Sequence, residues 1–205
     1  MSEIILTPDR DIKTEVFVFH GYGADKNDMA PLGKEISKNI PNVEVRIADG
    51  FEHCPSGYGY QWFDMISDEI TDWERALAEK TPSIIKYIDN VLVEKNLSYS
   101  DTVIAGFSQG AMLALSLGLQ NNFKAAISFS GMLLNPQVCQ NNHPSTKVLL
   151  CHGELDDVVP FEMMRITESA LQTAQIHVET ATSPNLHHAI DQRLVKSAVD
   201  FLKNL

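Results

Sequence analysis

Thr102-Val103-Ile104-Ala105-Gly106-Phe107-Ser108-Gln109-Gly110-Ala111-Met112-Leu113-Ala114-Leu115 is the stretch that decides the fold of this chain. The β-branched run at 102–105 reads as a strand and the apolar run from 111 as a helix, with a serine at the turn between them. Gly-x-Ser-x-Gly in that setting is a nucleophile elbow, a turn sharp enough to leave the serine hydroxyl exposed at its apex. The glycines matter because the turn strains the serine backbone and leaves no room for side chains beside it. The pattern alone arises by chance in about one chain in fifteen of this size. The flanking strand and helix therefore carry the inference.

Outward from the elbow, strand-like and helix-like runs alternate. Residues 15–19, 43–48, 125–129, 147–151 and 176–179 read as further strands, and 4–7 as a first strand ending in a turn at Pro8-Asp9. Several are nearly continuous in Val, Ile, Leu and Phe, as strands covered on both faces should be. Helices are expected at 28–39, 108–119, 161–175 and 189–202, the last with an inward stripe of Ile190, Leu194, Ala198 and Phe201. Residues 68–96 are long for one helix, and Pro82 predicts a break or a fresh start there, with Thr81 as N-cap and Pro82 at the first helical position. With no linker or repeat, the 205 residues predict one doubly wound α/β domain with a mainly parallel sheet and helices on both faces. The segment 51–65, rich in Gly, Pro, Tyr and Trp, fits no element and reads as a binding loop rather than a large cap domain.

Composition narrows the class. A net charge of -11 argues against a nucleic-acid or anionic-membrane surface, and no apolar run is long enough to span a bilayer. The N-terminal Met1-Ser2-Glu3-Ile4-Ile5-Leu6 has no basic region and no long apolar stretch of a secretory signal, so a cytoplasmic home is expected. Cys54, Cys139 and Cys151 are too few and too widely spaced for a disulfide framework or a zinc site. Cys151 reads as a small buried hydrophobe, and Cys54 as a loop thiol.

A serine hydroxyl needs a base to take its proton, and the base needs an acid to hold its tautomer, in the chain order Ser, Asp or Glu, His. After Ser108 the chain offers His152-Gly153-Glu154-Leu155-Asp156-Asp157 at a strand end, then Leu186-His187-His188 between the last strand and the last helix. Either aspartate and either histidine satisfies the order. The remaining histidines, His20, His53, His143, His152 and His177, read as structural or surface groups. Two N–H donors must face the developing oxyanion. Gln109, the residue after the serine, supplies one, and Tyr22 in His20-Gly21-Tyr22-Gly23-Ala24-Asp25 is placed to supply the other.

His20 to Asp25, Gln61-Trp62-Phe63-Asp64, the elbow, His152-Gly153 to Asp156 with Val159-Pro160, and His188-x-Ile190 together resemble the phospholipase/carboxylesterase family, which includes the acyl-protein thioesterases. The resemblance runs from Glu15 to the C-terminus and implies an α/β-hydrolase fold with Ser108 as nucleophile, Asp156 as acid and His188 as base. It selects Asp156 over Asp157 through the pattern His-Gly-x-x-Asp-x-x-Val-Pro. His187 stands where the family usually has glycine. The resemblance further implies hydrolysis of short to medium acyl esters, thioesters or lysophospholipids without metal or cofactor, and a homodimeric assembly. It also implies an apolar groove walled by the loop that carries Trp62, Phe63 and Met65. The rivals are a hydrolase-like binding protein without turnover and a peptidase on the same scaffold. Candidates for all three triad roles weigh against the first.

Overall fold

The computed structural model describes residues 2–139 and 145–205, so the sequence reading of His143 lies outside the described residues. β1 (Glu3–Leu6), β2 (Thr14–Phe19) and β3 (Val43–Ala48) open the chain, and β4 (Glu52–His53) pairs with β5 (Tyr60–Gln61) in a small separate hairpin. With β6 (Thr102–Phe107), β7 (Ala125–Phe129), β8 (Lys147–Gly153) and β9 (Val178–Ser183), the first three form a seven-stranded sheet. Its order is β1-β3-β2-β6-β7-β8-β9. β1 runs antiparallel to β3, and every other neighbouring pair is parallel.

Strand alternation sends successive side chains to opposite faces, and both faces are covered. Along β2, Val16 and Val18 join one core with α1 (Lys26–Asn39), while Phe17 and Phe19 join another with α2 (Ile70–Lys95) and α3 (Gln109–Asn121). α4 (Phe161–Thr173) closes a third cluster over β8 through Met164 and Leu171. α5 (Gln192–Lys203) packs beside α1 through Leu194, Ala198 and Phe201, the stripe expected from the sequence, with Ile190 half-buried ahead of it.

Two expectations fail. α2 is one continuous helix of 26 residues, not two. Its buried face, Leu77, Ile84, Ile88, Val91 and Leu92, continues through the proline. Pro82 itself lies on the exposed side, where water takes the carbonyl that its missing N–H leaves free. Thr81, expected as a cap, instead donates its hydroxyl to Leu77 O at 2.8 Å. The last strand begins at Val178 and runs to Ser183, beyond the segment 176–179. Ile176 is buried, but its N–H bonds to Leu171 O and so belongs to the turn leaving α4.

Where β1, β3 and β2 meet α2, a charge cluster is largely buried, with Glu3 and Lys95 at its partly exposed edge. Arg46 donates to Glu15 (3.0 Å), Glu3 (2.8 Å) and Glu44 (3.1 Å), and Lys95 pairs with Glu44 at 2.9 Å. Glu15 Oε2 is buried without a partner. Burial outweighs Arg46 and pushes the Glu15 carboxyl up to about 7.

Candidate active site

The four loops expected to carry chemistry leave the carboxyl ends of parallel strands β2, β6, β8 and β9, the edge where open α/β sheets bind ligands. Ser108 sits between β6 and α3 with φ 53° and ψ −116°, a strained conformation for a residue with a side chain. Its N–H is fixed to Phe129 O at 2.9 Å, and its carbonyl accepts from Ala111 and Met112. The glycines are steric necessities. A Cβ on Gly106 would lie 2.1 Å from Gly110 O, and one on Gly110 would lie 2.3 Å from Phe19 O and 2.6 Å from His20 O. The elbow therefore rests directly on the backbone at the end of β2.

Asp156 follows β8. Its Oδ1 accepts from the N–H groups of Val158 (3.0 Å) and Val159 (2.9 Å), so it organises its own turn and does not cap α4. His188 follows β9, in a loop tied to the β8 end by Leu155 N–H donating to Leu186 O at 3.0 Å. Its Nδ1 lies 3.0 Å from Asp156 Oδ1 and 2.9 Å from Oδ2. A carboxylate there fixes the Nδ1–H tautomer and leaves Nε2 free to accept a proton. The imidazole packs on Phe107, ring centroids 4.7 Å apart.

Burial works against the charge on Asp156, yet the bonds from His188 and from Val159 and Val158 N–H win, and the carboxyl is held below its ordinary range. The Ser130 hydroxyl faces the same carboxylate and adds to this effect, although it stops short of hydrogen-bond geometry. His152 stands behind Asp156, its Nε2 at 3.4 Å from Oδ2, and donates to Val159 O at 2.8 Å. Burial lowers its pKa, so it stays neutral and buttresses the turn. His187 points away: it is exposed and lies 3.8 Å from exposed Asp157.

Among the described residues neither Tyr22 N–H nor Gln109 N–H donates a hydrogen bond to the protein. The loop beneath Tyr22 is braced by His20. Gly50 N–H donates to His20 Nε2 at 2.9 Å, so the proton is on Nδ1, which donates to Gly21 O at 2.7 Å. The Gln109 side chain, buried, accepts from Trp62 N–H and donates to Phe63 O, each at 2.8 Å. This second task of Gln109 leaves no trace in sequence periodicity.

Tyr22, Ser108 and His188 line one groove of about 520 Å³. Of the three residues expected in its wall, Met65 is there. Trp62 and Phe63 are not. They are fully buried, with Trp62 edge-on to Phe19 at 4.9 Å and its Nε1–H donating to His20 O at 3.0 Å. They form the floor under the loop that carries Tyr22, because the hairpin folds them inward. The groove is walled instead by Met112, Met132, Met163 and Trp73, which come from separate elements and share no local pattern. Cys54 is buried, its Sγ donating to Tyr60 O at 3.3 Å.

Comparison with known proteins agrees with this architecture. The esterase YpfH of Escherichia coli K12 is 25% identical over 203 residues, covering 98% of this chain and 86% of that protein. Acyl-protein thioesterase 1 of Kluyveromyces lactis is 24% identical over 176 residues, covering 73% and 72%. The crystal structure of esterase PE8 superposes with a TM-score of 0.92 at 30% identity, covering 99% of this chain and 98% of that one. The sequence profile of the phospholipase/carboxylesterase family matches residues 1–205. The chain belongs to the phospholipase/carboxylesterase family and is a serine hydrolase of the α/β-hydrolase fold.

Proposed function

We propose that the protein is a serine carboxylesterase that cleaves short to medium acyl esters, with thioesters and lysophospholipids within its range, through an acyl-enzyme on Ser108. One observation carries the reading. Ser108 shares a groove with His188, whose Nδ1 is held by both oxygens of a buried, ionised Asp156. Ser108 Oγ attacks the acyl carbon while His188 Nε2 takes its proton. The tetrahedral oxyanion is received by Tyr22 and Gln109 N–H, and His188 then protonates the leaving oxygen or sulfur. Water repeats the sequence on the acyl-enzyme. The acyl chain lies along Met65, Met112, Met132 and Met163, whose unbranched thioethers re-pack around chains of different length.

The three cysteines are free and buried, which supports a reducing, cytoplasmic setting. Exposed Tyr22, Ile70 and Val158 at the groove mouth support pairing of two copies through that face. Ser108→Ala is expected to abolish hydrolysis of p-nitrophenyl butyrate and labelling by a fluorophosphonate probe, with the circular dichroism spectrum preserved. Labelling that persists in this variant removes Ser108 from the chemistry.

A further inference from the structure

A second and larger hollow, about 790 Å³, opens on the other side of the reaction centre. It lies between α1 and the start of α5 and shares just Tyr22 and His188 with the methionine groove. Its floor is apolar, from Leu32, Phe107, Ile190 and Val195. It continues outward along the two helices past Val199 as a further furrow of about 220 Å³. The reacting centre thus sits on a ridge between two troughs, and an ester has two arms.

The proton balance says which arm goes where. When the tetrahedral intermediate collapses, the bond from the acyl carbon to the ester oxygen breaks. Its electron pair goes to that oxygen, which takes the proton from His188 Nε2 and departs as an alcohol. The alcohol must therefore lie against His188. His188 lines both hollows, but the methionine groove also contains Ser108, to which the acyl group is bonded, whereas the α1–α5 furrow does not, which leaves the furrow for the alcohol arm.

We infer that the furrow between α1 and α5 is the leaving-group site, and that it takes alcohols or thiols with an apolar body that are uncharged or cationic. The charge preference comes from the rim beside the reaction centre, where Asp28, Glu35 and Asp191 face one ammonium, Lys34, while Lys196 and Lys203 line only the outer extension. A phosphate- or carboxylate-bearing leaving group would enter against that surplus. The furrow volume is in the range of a drug-sized ligand, far more than methanol or ethanol needs.

This rests on the acyl-enzyme reading, and the experiment keeps the two apart. Fluorophosphonate labelling of wild type at Ser108 tests that reading on its own. Butyrate esters of methyl, benzyl, para-aminomethylbenzyl and para-carboxybenzyl alcohol then vary size and charge with little change in the acidity of the alcohol. Wild type is expected to prefer benzyl and para-aminomethylbenzyl over para-carboxybenzyl butyrate in kcat/KM. Val195→Trp fills the furrow from α5 and is expected to lower the benzyl-to-methyl ratio about tenfold. Pro31→Trp fills it from the exposed side of α1, where loss of a proline favours the helix, and serves if the first variant misfolds. Glu35→Lys is expected to raise the para-carboxybenzyl rate relative to benzyl. The proposal is overturned if both tryptophan variants leave the benzyl-to-methyl ratio unchanged. It is equally overturned if they shift the acyl-length profile, or slow deacylation measured after the burst, because the alcohol has then already left.

Discussion

Asp156 and Glu15 are both buried carboxylates beside a basic side chain, yet the first is held ionised and the second is pushed up to about 7. Asp156 meets two backbone N–H groups and one imidazole, which together satisfy both oxygens. Glu15 shares one guanidinium with Glu3 and Glu44 and has an oxygen with no partner. Deeper burial together with the missing donor, despite the adjacent cation, raises Glu15, whereas the full set of donors holds Asp156 ionised. A third pair, Asp157 with His187, stands in solvent at 3.8 Å, where water does most of the work.

The largest loss is expected at Asp156, the carboxylate whose two oxygens are both satisfied. Asp156→Asn keeps the shape but exchanges a carboxylate for an amide that no longer enforces the Nδ1–H tautomer of His188. Its kcat/KM for p-nitrophenyl butyrate is expected to fall about 10⁴-fold. A variant within tenfold of wild type would mean that His188 does not depend on Asp156.

The next effect concerns stability. Below pH 4.5 Glu15 is protonated whether the chain is folded or not; between 4.5 and about 7 only the folded state holds the proton. Stability from this group is therefore fully present at the acid side and is lost as pH rises through that window, by about 3 kcal/mol. Glu15→Gln removes the slope. Urea unfolding across pH 5 to 8 should show the variant gaining on wild type as pH rises, and a constant difference would refute the assignment.

The smallest effect belongs to the exposed pair. His187→Ala is expected to leave kcat/KM within about twofold, since such pairs contribute little. His188→Ala, assayed beside it, should lose nearly all activity. If His187→Ala alone inactivates the enzyme, the base is misassigned.

The sheet was legible because strands covered on both faces are written as nearly continuous apolar runs, as at residues 16–19 and 148–151. The edge strand β9 was misplaced because one side faces water and its Glu179, Thr180 and Thr182 break that pattern. In α2, the local rule about Pro82 lost to a buried stripe running along most of the helix. The chain order of serine, acid and histidine pointed to Ser108, Asp156 and His188, since each stands in the loop after a strand. The groove wall was not legible. Apolar Trp62 and Phe63 look the same in sequence whether they line a cleft or fill a core, and Met112, Met132 and Met163 meet only after folding.

Gly110 bears on the tolerance of the whole site. Because it holds the elbow against the Phe19 and His20 carbonyls without an intervening side chain, the end of β2 and the start of α3 are spaced main chain to main chain. Substitutions in the walls of either trough leave that backbone contact, and the seat of Ser108 upon it, unchanged.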